Sequence, residues 1–506
     1  MANALYDTLL APHTSNNKRL LSQPDGSSMS YAAFIKLAAQ YAGALTEAGV
    51  SVGDRVAVQV HKTPQALAVY AACIQAGAVF LPLNTAYTAK EVAYFVGDAE
   101  PAALLCDPQN LDNLQSAVAG TNCVLHTLDA NGEGSLSELA RSKPLTFDTV
   151  SREAGDLAAI LYTSGTTGRS KGAMLTHNNL LSNALTLVDY WKFTADDVLL
   201  HALPVYHTHG LFVACNTIFL AGASMIYIPA FNVDIVREHL PDSSVMMGVP
   251  TFYTRLLDDN KFDRDTVKHM RLFVSGSAPL LAETHEAFEA RTGQRILERY
   301  GMTETNMNTS NPYDGERRAG TVGFPLPGVE AKVCNTQTGN ELPNGEIGVL
   351  EVRGPNVFSG YWRMPDKTAE ELKADGFFIT GDLATIDADG YIRIVGRNKD
   401  LIISGGFNIY PKEIELLLDD QPDVLESAVV GAPHPDFGEG VIALLVAKPD
   451  CTIDIDVIRN AMSEALAKFK QPKSYRIVPE LPRNTMGKVQ KKLLRESVKD
   501  SFANNP

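Results

Sequence analysis

Cysteine and positive charge are both scarce in this chain of 506 residues. Its six cysteines lie far apart and never in a Cys-x-x-Cys spacing, which argues against a zinc site or a disulfide framework and is typical of a reducing compartment. The 44 lysines and arginines are outnumbered by 59 acidic residues, so the formal net charge is -15. No basic stripe offsets that charge, and we therefore expect no nucleic-acid partner.

Charge of either sign is missing from one long segment, Val198 to Val233. A stretch of this length without Asp, Glu, Lys or Arg is typical of a membrane span. Pro204, Gly210 and Pro229 interrupt the segment, however, and three histidines lie within it. We interpret it as strand, loop, buried helix and strand in a dry core, without membrane insertion.

Targeting signals are missing as well. The first residues lack the charged lead and apolar run of a signal peptide, and the last three residues are not a peroxisomal tripeptide. We therefore expect a cytoplasmic protein, and we expect it to be a monomer or a weak homodimer.

The most informative feature that is present is the segment Tyr162 to Gly172. It holds five small hydroxyl residues, three glycines and Lys171, and it follows the apolar run Leu157 to Leu161, which predicts a buried strand. Glycines let a backbone approach a polyphosphate closely, while amides, hydroxyls and a lysine meet its negative charge. The segment lacks the Gly-Lys-Ser/Thr of a Walker A loop, which argues against an ordinary P-loop ATPase or kinase.

Four further motifs follow in order along the chain. With the loop they resemble the signatures of the adenylate-forming superfamily, the acyl-CoA synthetases and other AMP-binding enzymes. The motifs are Tyr300 to Thr305, Phe378 to Leu383, Gly396 to Asp400 continued by Ser404 to Pro411, and Pro482 to Lys488. Each alone is weak evidence, but their fixed order over most of the chain makes the resemblance specific.

The alternation of helical and strand-like segments predicts an α/β fold with largely parallel sheets. After Gly390 the pattern changes to a compact α+β unit, which places a domain boundary near Asn398. The resemblance implies the same organisation. We expect a large N-terminal AMP-binding and acyl-binding domain of several subdomains with mixed and parallel sheets, residues 1–397. A small mobile C-terminal domain, residues 398–506, would rotate about a hinge near Lys399.

The resemblance implies a two-step reaction with ATP, Mg²⁺ and coenzyme A. A carboxylate and ATP form an acyl-AMP and pyrophosphate, and a thiol then displaces AMP. It implies catalytic roles for Lys488 as the adenylation lysine, for Thr303, for Glu304 as the Mg²⁺ ligand and for Thr163. It further implies that ATP contacts a larger set: Thr163, Ser164, Gly165, Thr166, Thr167, Gly168, Lys171, Ser277, Glu298, Tyr300, Gly301, Met302, Thr303, Asp382, Arg397 and Lys488. Coenzyme A is expected at Ser404, Gly405, Gly406 and Phe407.

Arg299 points to the class of acid. An arginine beside an acyl pocket is costly unless a negative group pairs with it, and a second carboxylate of a short diacid would do so. A structural salt bridge to Glu298 or to another acidic residue is the alternative. The sequences around His207, Ser277 and Arg299 resemble malonyl-CoA synthetases, which implies malonate as the acid. The same resemblance places Thr208 and Met307 beside C2 of malonate. His207 and His209 have no evident third ligand, so we do not expect zinc.

Other functions stay open on the sequence alone. An acyl-CoA synthetase for methylmalonate, oxalate or succinate differs mainly in pocket length. A stand-alone adenylation enzyme would load a carrier protein instead of free coenzyme A. A luciferase-like oxygenase shares the fold, but nothing in the sequence favours it.

Overall fold

A computed structural model describes residues 2–163, 170–404, 407–484 and 487–502, with no description of the Asn408 side chain. Seven predicted site residues lie outside these ranges, and their assignments stay predictions: Ser164, Gly165, Thr166, Thr167, Gly168, Gly405 and Gly406.

The chain divides into two compact units. The first comprises residues 1–276, 280–330 and 352–378, and the second comprises 277–279, 331–351 and 379–506. The second unit therefore begins before the predicted boundary at residue 398. One reason is that the strand Phe378–Ile386 pairs antiparallel with Ile392–Arg397, which ties this segment to the residues that follow it. A hinge near Lys399 remains a prediction.

The first unit contains a six-stranded sheet, and its last two strands lie on either side of the phosphate-loop motif in the sequence. Four parallel pairings join its first five strands, and the last pairing, on either side of the loop, is antiparallel. The strands, in spatial order, are Val124–Thr127, Ala103–Cys106, Arg55–Gln59, Val79–Pro82, Leu157–Thr163 and Lys171–Thr176. The predicted buried strand before the loop is thus confirmed.

A nine-stranded mixed sheet forms the rest of this unit's framework. Its strands, in spatial order, are Phe324–Pro325, Asn306–Ser310, Leu297–Met302, Leu272–Ser275, Val245–Gly248, Val198–His201, Ser224–Tyr227, Arg19–Ser22 and Ser28–Ser30. The central strands are parallel, so their carboxyl ends meet at one edge, where ligands bind in open α/β sheets. The loops after His201 and Ser275 begin at that edge, and Leu297–Met302 continues as a strand beyond its pairing at Glu298.

Helices pack on these sheets, and two of the longest begin at hydroxyl caps. Tyr31–Glu47 begins at the Ser30 cap and Pro64–Ala76 at the Thr63 cap, because each hydroxyl accepts a backbone N–H of the first turn. The other α-helices of the unit are Ala4–Leu9, Ala89–Ala99, Leu111–Val118, Ser135–Arg141, His177–Tyr190, Asn216–Ala221, Val233–His239, Pro250–Leu257, Ala282–Thr292 and Pro365–Glu371.

The charge-free segment folds as the sequence predicts. Val198–His201 and Ser224–Tyr227 are strands, and the π-helix His209–Cys215 and the α-helix Asn216–Ala221 lie between them. All four are largely buried within the first unit. Among the described residues, no helix combines the length and apolar character needed to cross a membrane.

The second unit combines two antiparallel-rich sheets with three α-helices among its described residues. One sheet has the order Glu330–Cys334, Gly348–Arg353, Phe378–Ile386 and Ile392–Arg397, with its first and third strands starting at the unit's border. The other joins Phe407–Ile409, Ile402–Ser404, Gly438–Ala447 and Val424–His434, with Ser474–Ile477 parallel to Gly438–Ala447. The helices are Pro411–Asp419, Ile455–Ala465 and Lys491–Val498.

Candidate active site

Arg299 is the central polar group of the first unit's sheet edge. It lies in the strand Leu297–Met302 and is only 3% exposed. Its guanidinium lies directly over Gly276, because a methyl group added to that glycine would be 2.3 Å from Arg299 Cζ and Nη1. Gly276 follows the neighbouring strand Leu272–Ser275, so two parallel strands and one missing side chain create the space for this cation.

The buried guanidinium is not neutralised by a carboxylate of the described residues. Arg299 Nε and Nη2 are buried and make no hydrogen bond. Glu298 Oε1 instead accepts the Leu280 backbone N–H at 3.1 Å, and no ion pair joins Glu298 to Arg299 among the described residues. The two side chains are consecutive on one strand and therefore point to opposite faces of the sheet.

Burial also perturbs the charge of this arginine. Desolvation lowers the pKa of Arg299 to about 9, against the opposing effects of Tyr253 and Glu298. A buried cation without a paired anion is unfavourable, whereas a carboxylate that accepts two guanidinium N–H groups relieves the cost. The geometry is therefore that of an anion-binding site.

The loop that carries His207 and Thr208 lies at the same sheet edge. Thr208 is buried and its hydroxyl donates to Asn306 Oδ1 at 2.6 Å. His207 is partly buried, and its Nδ1 accepts the backbone N–H of His209 at 3.2 Å. Burial lowers the pKa of His209 well below its usual value, and the nearby Arg299 lowers it further. His209 is accordingly a neutral ring beside the cation.

Met307 and Gly301 complete the described part of this region. Met307 is 1% exposed and lies on the strand Asn306–Ser310, which pairs with Leu297–Met302. A methyl group at Gly301 would lie 1.8 Å from the Asn306 carbonyl oxygen and 2.5 Å from Met307 Cε. Glycine is required there because the two strands approach so closely. The buried Met307 side chain therefore lies beside Gly301, and its predicted place beside C2 of malonate stays a prediction.

Ser277 follows Gly276 and has a left-handed backbone, with φ of 71°. Residues 277–279 group with the second unit, so the structure does not bring Ser277 together with Arg299 within one unit. Its predicted contacts with ATP and the acid remain predictions.

Glu304 lies in a chain of charged and polar groups within the first unit. The Tyr361 hydroxyl is 3.0 Å from Glu304 Oε1 and 2.6 Å from Glu371 Oε2, and it has one proton to donate. Lys171 Nζ contacts both Glu371 oxygens at 3.2–3.3 Å and lies 4.0 Å from the centre of the Tyr361 ring. This chain holds the predicted metal ligand and the predicted phosphate-loop lysine in one network.

The donor set at Glu304 suits Mg²⁺. The metal prefers carboxylate and phosphate oxygens and commonly uses one protein carboxylate with substrate phosphates. Thr303, beside Glu304, is partly buried, as are Tyr300 and Met302, and the Tyr300 hydroxyl contacts Met302 Sδ at 3.7 Å. Thr163 is the last residue of the strand before the loop and lies opposite Lys171 in the antiparallel pairing.

In the second unit, the buried Asp382 forms an ion pair with the partly exposed Arg397. Their strands pair antiparallel with these two residues opposite each other, and Arg397 Nε lies 2.6 Å from Asp382 Oδ1. Asp382 is 3% exposed, and its backbone N–H donates to the Thr380 hydroxyl. The carboxylate can accept hydrogen bonds from ribose hydroxyls, and the neighbouring guanidinium can donate hydrogen bonds to them. The predicted nucleotide pair is thus brought together.

Lys488 lies in a tight loop of the same unit. Gly487 has φ of 73°, and the Lys488 backbone N–H donates to Asn484 Oδ1 at 2.9 Å. Lys488 is solvent-exposed as a residue, yet desolvation of its ammonium by surrounding protein lowers its pKa to about 8. Arg397 lowers the pKa further and Asp382 opposes this, so the lysine is electrostatically coupled to the Asp382–Arg397 pair.

The predicted hinge and coenzyme A residues lie elsewhere in the second unit. Lys399 is part of the short 3-10 helix Asn398–Asp400, and Asp400 Oδ1 pairs with Arg495 at 2.7 Å. Ser404 is buried at a strand end. Phe407 is 54% exposed and stacks on Phe469, with ring centres 4.5 Å apart. Phe469 is itself partly buried against the core, and the coenzyme A contacts remain predictions.

Sequence reasoning did not identify three residues of this region. Gly276 was present in a motif, but only the structure shows that it makes room for Arg299. Tyr361 and Glu371 lie far along the chain from Glu304 and carry no local signature, so nothing in the sequence connects them to that carboxylate.

Comparisons with known proteins bear on this arrangement. The AMP-binding enzyme family matches residues 11–362, and the AMP-binding enzyme C-terminal domain matches residues 413–488. A malonate–CoA ligase of Arabidopsis thaliana is 35% identical over 457 residues, which cover 84% of this chain and 74% of that protein. A feruloyl-CoA synthase of an Amycolatopsis species is 34% identical, over 92% of this chain and 93% of that protein.

The fold is also that of solved structures. The crystal structure of ATP-bound MatB from Rhodopseudomonas palustris superposes with a TM-score of 0.98 at 55% identity, covering 99% of this chain and 100% of that one. The relatives thus share fold and family but differ in the acid that their names give, so the acid must be argued from the site. On its sequence and its fold, the chain belongs to the AMP-binding enzymes.

Proposed function

We propose that this protein ligates malonate to coenzyme A through a malonyl-AMP intermediate, releasing AMP and pyrophosphate. The observation that carries the choice of malonate is Arg299, a buried guanidinium near His209, with two nitrogen atoms that make no hydrogen bond to the described residues. A monocarboxylate would leave that cation unpaired, whereas a short diacid places its far carboxylate there. The malonate–CoA ligase among the relatives supports the same acid.

In the first step a carboxylate oxygen of malonate attacks the α-phosphorus of ATP, and the bond to pyrophosphate breaks. Arg299 binds the second carboxylate of malonate. The reacting carboxylate is thereby held in place, because only one carbon atom separates the two. Lys488 stabilises the charge that develops between carboxylate and phosphate, and Asp382 with Arg397 orients the ribose. Placed cations of this kind act through positioning and electrostatics rather than as nucleophiles.

In the second step the thiol of coenzyme A attacks the malonyl carbonyl carbon, and the bond to AMP breaks. Rotation about Lys399 would replace Lys488 by the segment around Ser404 and Phe407, as part of this proposal. Glu304 would hold Mg²⁺, which neutralises phosphate charge when bound. The Tyr361 hydroxyl, which lies between Glu304 and Glu371, restricts the orientation of the Glu304 carboxylate. As part of this proposal, the protein is cytoplasmic and is a monomer or a weak homodimer.

The proposal is tested by the products. Purified protein with malonate, ATP, Mg²⁺ and free coenzyme A should give malonyl-CoA, AMP and pyrophosphate in equal amounts, as measured by mass spectrometry and chromatography. Formation of ADP would contradict the adenylate mechanism. Transfer only to a carrier-protein pantetheine, and none to free coenzyme A, would replace the ligase by a carrier-loading enzyme.

The adenylation step should lose rate at a pH where most lysines are still charged. The Lys488 pKa is lowered to about 8, and the protonated form is the one that stabilises phosphate charge. The kcat/KM for malonate-dependent pyrophosphate exchange should therefore be full below that pH and fall as pH rises through it. Lys488→Arg, whose side chain stays charged, should have a lower rate but no such alkaline decline. An identical decline in both proteins would assign it to another group.

A further inference from the structure

A buried lysine that the proposed mechanism does not use contacts the residues that support the loop Pro204 to Gly210. Lys62 follows the strand Arg55–Gln59 and reaches from the six-stranded sheet to the nine-stranded sheet of the same unit. Its Nζ lies 2.8 Å from His201 Nδ1, 2.8 Å from the His201 carbonyl oxygen and 2.6 Å from the Ile228 carbonyl oxygen. These two carbonyls end the parallel strands Val198–His201 and Ser224–Tyr227.

The contacts define the protonation of both side chains. Burial lowers the pKa of Lys62, but three acceptors require three N–H protons, which only the ammonium has. The Tyr227 ring, with its centre 4.4 Å from Nζ, also favours the cation. His201 is kept neutral because burial, and then Lys62, lowers its pKa well below the usual value. The Gly210 carbonyl oxygen can only accept, so the ring proton is on Nε2 and Nδ1 accepts from Lys62.

His201 connects Lys62 to the loop through a hydrogen bond. Its Nε2–H donates to the Gly210 carbonyl oxygen at 2.7 Å, and the Cys215 thiol donates to the same oxygen at 3.2 Å. A methyl group at Gly210 would lie 2.1 Å from the Pro204 carbonyl oxygen, so the loop folds back on itself at this point. Between Pro204 and Gly210 lie His207, Thr208 and His209.

We propose that Lys62 is a positioning residue for malonate, acting through the His201 imidazole and the Gly210 carbonyl to hold the loop that carries Thr208 and His209 against Asn306 and Arg299. The inference rests on the proposed function, since it assigns the loop to the acid. The chain of contacts is Lys62 Nζ, His201 Nδ1 and Nε2, the Gly210 carbonyl and then the loop. Lys62 touches no reacting group in this account.

The chain offers a matched control. Lys18 Nζ donates to the carbonyl oxygens of Ala195 and Gly222, which precede the same two strands at their opposite ends. Lys18→Met therefore removes bonds of the same chemistry to the same sheet, but none that reach the loop. Any loss common to both variants reflects sheet stability and not positioning of the acid.

The test is steady-state kinetics of Lys62→Met, His201→Phe and Lys18→Met, each as the full chain, with malonate and ATP varied in turn. We expect the first two variants to raise the malonate KM about tenfold, as for loss of a charge-assisted hydrogen bond, with the ATP KM within twofold of wild type. The Lys62→Met/His201→Phe double variant should be no worse than the poorer single variant, because the residues act in one chain. Lys18→Met should leave both KM values unchanged.

Two outcomes overturn the inference: malonate KM values of both Lys62→Met and His201→Phe that match Lys18→Met, or equal increases in the malonate and ATP KM values. If one variant fails to fold by circular dichroism, the other decides by the same criterion. A wild-type protein that does not turn over malonate refutes the proposed function instead. The two failures are therefore distinguishable.

Discussion

Lys488→Ala should abolish adenylate formation while leaving thioester formation largely intact. Removing the ammonium leaves the charge between carboxylate and α-phosphate without its cation, and loss of one such group costs about 10²–10³ in rate. Malonate-dependent ATP–pyrophosphate exchange measures the first step alone. Supplied malonyl-AMP and coenzyme A measure the second, which should keep at least about a third of the wild-type rate because Lys488 has no part in it.

The matched control for this prediction is Lys492→Ala. Lys492 is an exposed lysine in the helix Lys491–Val498, four residues from Lys488, so it reports any general effect of lost positive charge in this segment. It should leave both half-reactions unchanged. Normal pyrophosphate exchange by Lys488→Ala would refute the assignment of the adenylation lysine.

Arg299→Ala should lose nearly all turnover of malonate while Mg-ATP binding survives. A site built to pair a substrate group discriminates by about 10⁴ when the pairing is lost, because one charge is left buried and unpaired. Truncation removes the guanidinium over Gly276 and opens the space it fills. We expect kcat/KM for malonate to fall about 10³–10⁴-fold, with ATP affinity measured separately by calorimetry.

Arg295→Ala is the control, since Arg295 is half-exposed and pairs with Glu289 on the surface. It should behave like wild type. A loss below tenfold in Arg299→Ala, or an equal loss in ATP affinity, would show that Arg299 stabilises the fold and does not bind the second carboxylate.

The sequence predicted secondary structure well wherever hydrophobic spacing is strong. Hydrophobic spacing predicts helices from Tyr31 to Ala48, from Thr63 to Gly77 and from Glu283 to Thr292, and the helices Tyr31–Glu47, Pro64–Ala76 and Ala282–Thr292 lie within one residue of these bounds. A strand is predicted from Leu425 to Val430, but the strand Val424–His434 is longer, because its pairing with Gly438–Ala447 continues past the apolar run into Pro433 and His434. Pairing partners decide where a strand ends, and a single segment does not contain that information.

The contacts around the candidate site residues could not be predicted from the sequence. Arg299 was recognised, yet the sequence could not decide between a diacid and Glu298, because that depends on which face of the sheet each side chain occupies. Likewise Tyr361 contacts Glu304, and Lys62 contacts His201, across long separations in the chain. No local sequence pattern indicates such contacts.

The most direct test of the central claim is pyrophosphate exchange without coenzyme A, across a panel of acids: malonate, methylmalonate, oxalate, succinate and acetate. The structure predicts that malonate is used best and that acetate, which has no second carboxylate for Arg299, is lower in kcat/KM by about 10³ or more. Exchange with acetate that equals exchange with malonate would contradict the diacid site.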